Sequence, residues 1–376
     1  MSLVTYSLVL NPLPLPQRAE PTANAIATPG VPIPPTSTPS GVVGARGTVA
    51  IRGSVAYVKS GEVFVQTGTR AVQITTSVAG SVASAPVWSP DGQWVYYIDT
   101  RLTTGSWLDP DEGGIEDFLL TYPVLCRVAP DGTGEQDIKN GLITYRNRET
   151  FFWMIHPSIS PDGTTVALIS DGPTEPGVSD DLLRFIDLQT GSFLNTPRLR
   201  DFSPYGQSDP TYSPDGKTVA YVTEARKGNV GDPGLWLYDT TDKTARQVAS
   251  GYRNPSWSPD GKYLAVAKSG VAKPDVAIID ASSGQLVGQI TSDGLSWAPV
   301  WSPDGDAIIY SHLAGSVTEL RMAYVSMTGG QLWYQNESNL IDYQGLDSGS
   351  AAAWYIPPKP AASGSAIVLP TRSEVP

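Results

Sequence analysis

The stretch NPSWSPDGKYLAVA, residues 254–267, is the fullest of five copies of one phrase in this chain. Within it Pro259 pre-sets φ for a turn, Asp260 offers a short carboxylate to nearby amides, and Gly261 suits the position with φ > 0. Ser-Pro-Asp-Gly recurs with its serine at 89, 160, 213, 258 and 302, at intervals of 71, 53, 45 and 44 residues. Self-similarity at a period of about 40–45 residues marks a propeller blade of four short antiparallel strands. The turn pairs are then Asp91 and Gly92, Asp162 and Gly163, Asp215 and Gly216, Asp260 and Gly261, and Asp304 and Gly305. One carboxylate per copy is too few for the roughly 6–8 oxygens a calcium ion takes, so these residues read as architecture.

Residues 255–290 show the grammar of one blade. PSW leads into the turn as strand A, YLAVAK is strand B, DVAIID strand C, ASSG a hairpin and QLVGQI strand D. Upstream, SVAYVKSGEVFVQTGTRAVQIT (54–75) supplies B, C and D strands before the first turn; downstream, LDSGSAAAWYIPP (346–358) is in register but has lost the turn. The expected fold is an all-β propeller of six four-stranded blades, its two chain ends sharing one blade. Seven blades result if 346–358 forms a blade of its own. Closing the ring removes exposed sheet edges.

Residues 11–40 contain nine prolines among Thr, Ala and Ser, a composition that cannot bury a core. The expected organisation is a Pro/Thr/Ala-rich tail at 1–45, a propeller at 46–356 and a Pro/Ser-rich tail at 357–376. The apolar stretch SLVTYSLVL (2–10) has no basic segment before it and no small-residue cleavage site after it, so no export signal is visible. It is β-prone and suits strand addition to a partner's sheet edge.

The repeated phrase, with aromatics at Trp88, Tyr212, Trp257 and Trp301 and Ile159 in the deviant copy, resembles the TolB-like β-propeller family over about residues 46–356. That family's WD-like repeat carries Pro-x-Trp-Ser-Pro-Asp-Gly. The resemblance implies the propeller fold. It also implies an extracytoplasmic (periplasmic, secreted or surface-tethered) place in the cell envelope and protein partners, because the family's namesake is a periplasmic, protein-binding component. Fold does not fix function, since propellers host binding, signalling and catalysis alike.

The 37 acidic against 25 basic residues leave a formal charge of −12, which argues against nucleic acid or an anionic membrane as partner. A protein or peptide partner of basic or neutral character is easier to accommodate. The single cysteine, Cys126, excludes an intramolecular disulfide and a thiolate metal cluster; in VLCRVA it reads as a buried thiol of a strand. No apolar run approaches the ~18 residues of a transmembrane helix. No cofactor or metal is expected.

Strand direction decides where function could lie. The A–B turns occupy one face of the ring, and the D–A and B–C connections share the other with the channel mouth. Two connections there are long: TRLTTGSWLDPDEGGIEDFLLTY (100–122) between B and C, and NGLITYRNRETFFWMIHP (140–157) between D and A. The first carries Asp109, Asp111, Glu112, Glu116 and Asp117, read as a solvated loop, a contact for a basic partner, or a cation site whose spacing fits no EF-hand. The residue before each Pro-x-aromatic is Ala85, His156, Asp209, Asn254 or Ala298, expected to begin strand A and ring the mouth. His156, Asp209 and Asn254 are its polar members. Nearby connections are expected to add Arg146, Arg148, Trp153, Tyr205, Tyr252, Arg253 and Trp297, the residue types that binding hot spots favour. Each could equally pack beneath the loops.

His156 and His312 are the two histidines, and no nucleophile elbow, HExxH or phosphate loop accompanies them. The leading expectation is a non-catalytic propeller that binds protein or peptide through its mouth face. The rivals are an enzyme or a glycan or peptide binder working in the channel, and a structural subunit of an envelope assembly with threaded tails.

Overall fold

Runs of about six β-branched and aromatic residues, each closed by Asp, Ser or Gly, can bury apolar side chains on both faces only by stacking sheet on sheet. The computed structural model describes residues 51–78, 80–108, 115–145, 148–173, 181–195, 206–224, 232–269, 274–328, 331–337 and 345–358. It shows six blades and no helix among them. The expected tails lie outside the described residues, apart from 357 and 358.

From the inside outward, blade 1 consists of Ala353–Tyr355, Ile51–Lys59, Glu62–Gly68 and Arg70–Gln73. Blade 2 is Val82–Trp88, Val95–Leu108, Ile115–Val128 and Gln136–Asn140. Blade 3 has three strands, Ile155–Ile159, Thr165–Ser170 and Leu182–Asp187, with an isolated bridge from Ile186 to Phe193 where a fourth would begin. Blade 4 is Gln207–Tyr212, Thr218–Thr223, Gly234–Asp239 and Ala245–Ser250; blade 5 is Tyr252–Trp257, Tyr263–Lys268, Val276–Asp280 and Leu286–Gln289. Blade 6 is Ser296–Trp301, Ala307–Ala314, Val317–Thr328 and Gln331–Glu337.

The count is therefore six. The degenerate segment is no seventh blade, because Ala353, Trp354 and Tyr355 pair with Ala56, Val55 and Ser54 as the innermost strand of blade 1. The core is divided in the same way: six apolar clusters each lie between consecutive blades, with Trp88, Tyr212, Trp257 and Trp301 as wedges in four of them and Ile159 in a fifth. Trp88 and Trp257 also donate their indole N–H to the blade before, at Ala353 O (3.1 Å) and Thr211 O (3.1 Å).

The turns behave as their chemistry dictates. In the first four copies the serine Oγ–H donates to the aspartate (2.5–2.7 Å), and the serine Oγ accepts the N–H five residues on. Bonds from Ser89, Ser160 and Ser213 hold Asp91, Asp162 and Asp215 below the usual carboxylate range. Each turn also stacks on its neighbour. A Cβ at Gly163, Gly216, Gly261 or Gly305 would stand 3.4–3.9 Å from the proline of the preceding turn. At the closure Tyr355 replaces that proline: its ring covers Gly92, stacks on Trp88, and its hydroxyl donates to Asp91 O (3.0 Å). Asp304 of the fifth turn meets Arg52 of blade 1 (2.6 Å), which also pairs with Asp306.

Two expectations need correction. The inner strands begin one to three residues earlier than the phrase suggests, so Ala85, His156, Asp209, Asn254 and Ala298 lie within them. The long connections of blade 2 are largely strand. Residues 95–108 and 115–128 pair without a break from Val95–Val128 to Leu108–Ile115, and Leu142–Tyr145 pairs with Arg148–Phe151 in a second hairpin.

Candidate functional site

Proline has no N–H and disfavours helical backbone in the residue before it, so an X-Pro pair cannot continue a ladder smoothly. Each inner strand of blades 2–6 solves this with a bulge. Between Arg253–Ala267 and Ser256–Ala265, for example, the inner strand advances three residues while its partner advances two. The same slip occurs at Ser84/Val87, Ile155/Ser158, Ser208/Thr211 and Trp297/Val300. The extra residue takes the left-handed conformation: φ is 49° at Ala85, 51° at His156 and Asp209, 48° at Asn254 and 47° at Ala298. His, Asp and Asn tolerate this region better than most residues.

The bulge turns each N–H out of its own ladder and around the channel. Asp209 N–H donates to His156 Nδ1 (3.3 Å), Asn254 N–H to Asp209 Oδ2 (3.1 Å), and Ala85 N–H to Ser350 Oγ (3.1 Å). The side chain on one blade thus satisfies the backbone of the next. A second tier repeats this two residues on, where Ser158 Oγ accepts Tyr212 N–H (3.1 Å) and Ser256 Oγ accepts Trp301 N–H (3.0 Å). Asp209 is largely covered and His156 is 38% exposed, with its Nδ1 also 3.4 Å from Asp209 Oδ1.

The five residues line one cavity of about 350 Å³ on the channel axis, with Trp297 and the loop Ser348–Gly349 at its side. The indole of Trp297 donates to Ser348 O (3.2 Å). Beside them Arg253 spans Glu224 with two bonds (2.6 and 2.5 Å) and donates to Ser269 Oγ (3.2 Å). That pairing raises the Arg253 pKa and lowers that of Glu224. Arg253, Tyr252 and Trp297 are strand residues rather than loop residues, and Tyr252 packs half-buried against the core between blades 4 and 5. Glu224, Ser158, Ser256 and Ser350 were missed by sequence reasoning. The serines at 158 and 256 stood in the quoted phrase, but nothing local said that they reach the next blade.

The mouth face is not flat. The second strand of each blade runs toward it, and the blade 2 hairpin continues nine residues beyond Asp99, a projection of about 30 Å at ~3.3 Å per residue. The second hairpin packs against it. Among the described residues five large apolar side chains are exposed on this side: Val78 (73%), Val82 (50%), Leu102 (43%), Leu119 (70%) and Trp153 (44%). Trp153 meets Phe151 edge-on at 4.9 Å. Arg148 opens its strand opposite Tyr145. Glu116 and Asp117 are strand residues opposite Trp107 and Ser106, while Asp109, Asp111, Glu112, Arg146 and Tyr205 lie outside the described residues.

His312 belongs to a different arrangement. It is buried at 5% exposure, and its Nδ1 is 3.1 Å from Ser296 Oγ and 3.5 Å from Asp293 Oδ2. A Ser–His–Asp relay needs serine and aspartate on opposite imidazole nitrogens. Here both meet the same one, and Ser296 is fully buried, so the group is a structural clasp that ties the two inner strands of blade 6 to the connection entering it. Among the described residues no three His, Cys, Asp or Glu side chains are grouped to share a metal ion. Cys126 is buried, with its thiol pushed up chiefly by desolvation.

Residues 146–354, more than half of the 376, match the family model described as the TolB beta propeller domain. The chain belongs to that family. As a TolB-type propeller it is similar to the uncharacterized peptidase YuxL of Bacillus subtilis, at 30% identity over 109 residues, 27% of this chain and 16% of that protein. It is also similar to the Tol-Pal system protein TolB of Alcanivorax borkumensis, at 40% identity over 63 residues, 16% of this chain and 14% of that protein. The chain therefore matches only a small part of these curated relatives. Among solved structures, TolB from Acinetobacter baumannii superposes with a TM-score of 0.53 at 18% identity, covering 80% of this chain and 66% of that one. This last likeness speaks for the TolB-type fold alone.

Proposed function

We propose that this propeller is a non-catalytic, extracytoplasmic binding subunit that takes a protein or peptide partner on its mouth face. The observation that carries the proposal is the concentration of exposed apolar side chains on and around the projecting blade 2 hairpin. Isolated exposed apolar residues are ordinary, but a rimmed group of them on one face marks an interaction surface. The polar ring of His156, Asp209 and Asn254 and the Arg253–Glu224 pair supply the convergent hydrogen-bonding groups such a site needs for orientation. The chain's acidity favours a basic or neutral partner. The extracytoplasmic setting and the place in an envelope complex rest on similarity to the Tol-Pal system protein TolB.

A role as a channel enzyme is the weaker reading, because the Ser296–His312–Asp293 group is buried with serine and aspartate on the same imidazole nitrogen. The test is co-isolation from native extract using three forms of the full chain: wild type, Leu119→Ser/Trp153→Ser, and Lys217→Glu/Lys243→Glu on the opposite face. A partner retained by the first and third forms and lost by the second is the expected result. Equal recovery by the mouth variant, or loss only with the opposite-face variant, refutes the assignment.

A further inference from the structure

The outermost strands of a propeller are its only open sheet edges, and stable proteins keep such edges short, bulged or charged. Four blades follow this rule. Arg70–Gln73 has four residues and an arginine, and Leu286–Gln289 has four residues and a bulge in its ladder. Gln136–Asn140 and Ala245–Ser250 carry Lys139 and Arg246, and each ladder also slips.

Blade 6 departs from it in length, regularity and lack of basic residues. Gln331–Glu337 has seven residues, contains neither lysine, arginine nor proline, and pairs with its neighbour from Thr328–Gln331 to Met322–Glu337 without a slip. Leu332 packs inward against Gly288 of blade 5, where an added Cβ would stand 2.7 Å away. Trp333 and Tyr334, on opposite faces of the strand, are 63% and 48% exposed. Among the described residues no strand pairs with its outer edge.

We propose that this edge is a self-association site, at which two copies of the chain pair their Gln331–Glu337 strands antiparallel about a two-fold axis. The sequence of the strand is compatible with itself in this arrangement. With the axis at Tyr334, Gln331 stands opposite Glu337 and Leu332 opposite Asn336, so no like charges face each other. The two Tyr334 rings become direct cross-strand neighbours on one face, and the two Trp333 rings become diagonal neighbours on the other, both within reach of aromatic side chains. An isologous contact of this kind closes on itself and produces dimers rather than fibres. It is small, below the ~1,200 Å² of a standard interface, so the dimer is a weak, concentration-dependent one.

Sedimentation velocity of the full chain over a roughly hundredfold concentration range, up to about 500 µM, tests this. The wild type should shift from monomer toward dimer. Tyr334→Lys places lysine opposite lysine across the axis and should weaken association by about tenfold or more. Leu286→Lys, on the exposed outer strand of blade 5, should leave it unchanged. In a separate arm Tyr334→Cys should form an intermolecular disulfide on mild oxidation, since directly opposed residues have Cα atoms about 4.5–5.5 Å apart and Cys126 is buried. A wild type that stays monomeric throughout overturns the proposal. So does a dimer that survives Tyr334→Lys, or a Tyr334→Cys chain that gives no cross-linked dimer.

Discussion

Replacing Asp209 by alanine removes the acceptor that holds the bulge of the next blade. Its Oδ2 lies 3.1 Å from the Asn254 N–H, its side chain is 11% exposed, and Asn254 is held at a φ of 48°. A hydrogen bond to a charged acceptor contributes about 1.5–3 kcal/mol, and stranding the donor costs in the same range. The channel cavity of about 350 Å³ admits water, which recovers part of that loss. A net destabilisation of about 1.5 kcal/mol is expected for Asp209→Ala. With an unfolding entropy near 2.1 cal/mol/K per residue over roughly 300 residues, this lowers Tm by about 2–3 °C. Asp209→Asn keeps an oxygen at the same place and should cost less than about 0.5 kcal/mol. Reversible urea or thermal unfolding followed by tryptophan fluorescence measures both. If the alanine variant stays within ~0.3 kcal/mol of wild type, or asparagine costs as much as alanine, the blade-to-blade relay does not hold the ring.

Two further outcomes follow from the clasp and the turn ring. Burial, and then Arg321, hold the His312 pKa below its ordinary value near 6.5, with Asp293 and Glu319 opposing. The folded state then binds a proton less readily than the unfolded one, so stability is full above about pH 6.5 and falls as pH drops below it. His312→Gln should flatten the fall in melting temperature between about pH 7 and 5, and an unchanged slope in the variant would contradict this. At the turns, Gly261→Ala meets only the cost of left-handed backbone, about 1–2 kcal/mol, because its new Cβ would lie 3.9 Å from Pro214. Gly92→Ala places a Cβ 2.2 Å from the Tyr355 ring that closes the propeller. It should therefore destabilise more than Gly261→Ala in parallel denaturation curves, and equal costs would remove Tyr355 from the closure.

Much of the architecture was readable from the chain because its signals are local. The serine, aspartate and glycine of each turn bond within five residues of one another, so the turn can be recognised without its surroundings. The candidate ring at the mouth was readable for a related reason: it occupies a variable position beside an unvarying proline. Its geometry was not. Strand boundaries around Asn254 shifted because the bulge lets the strand continue past a residue that looks like a loop, and the blade 2 insertions read as loops although their pairing makes them strands.

By itself the sequence determined the repeat and the turn chemistry, since each depends on residues within one period; six blades rather than seven was decided only when Ala353–Tyr355 paired with Ser54–Ala56. Only the tertiary structure decided that His156 accepts from Asp209, that Glu224 is the partner of Arg253, and that His312 is a clasp rather than a base. It also decided that Arg52 meets Asp304, 252 positions away, to close the ring. Apart from the His312 clasp, which lies within blade 6 and its entering connection, these contacts join different blades, and no local spacing encodes which side chains face one another once the sheets are stacked around a common axis.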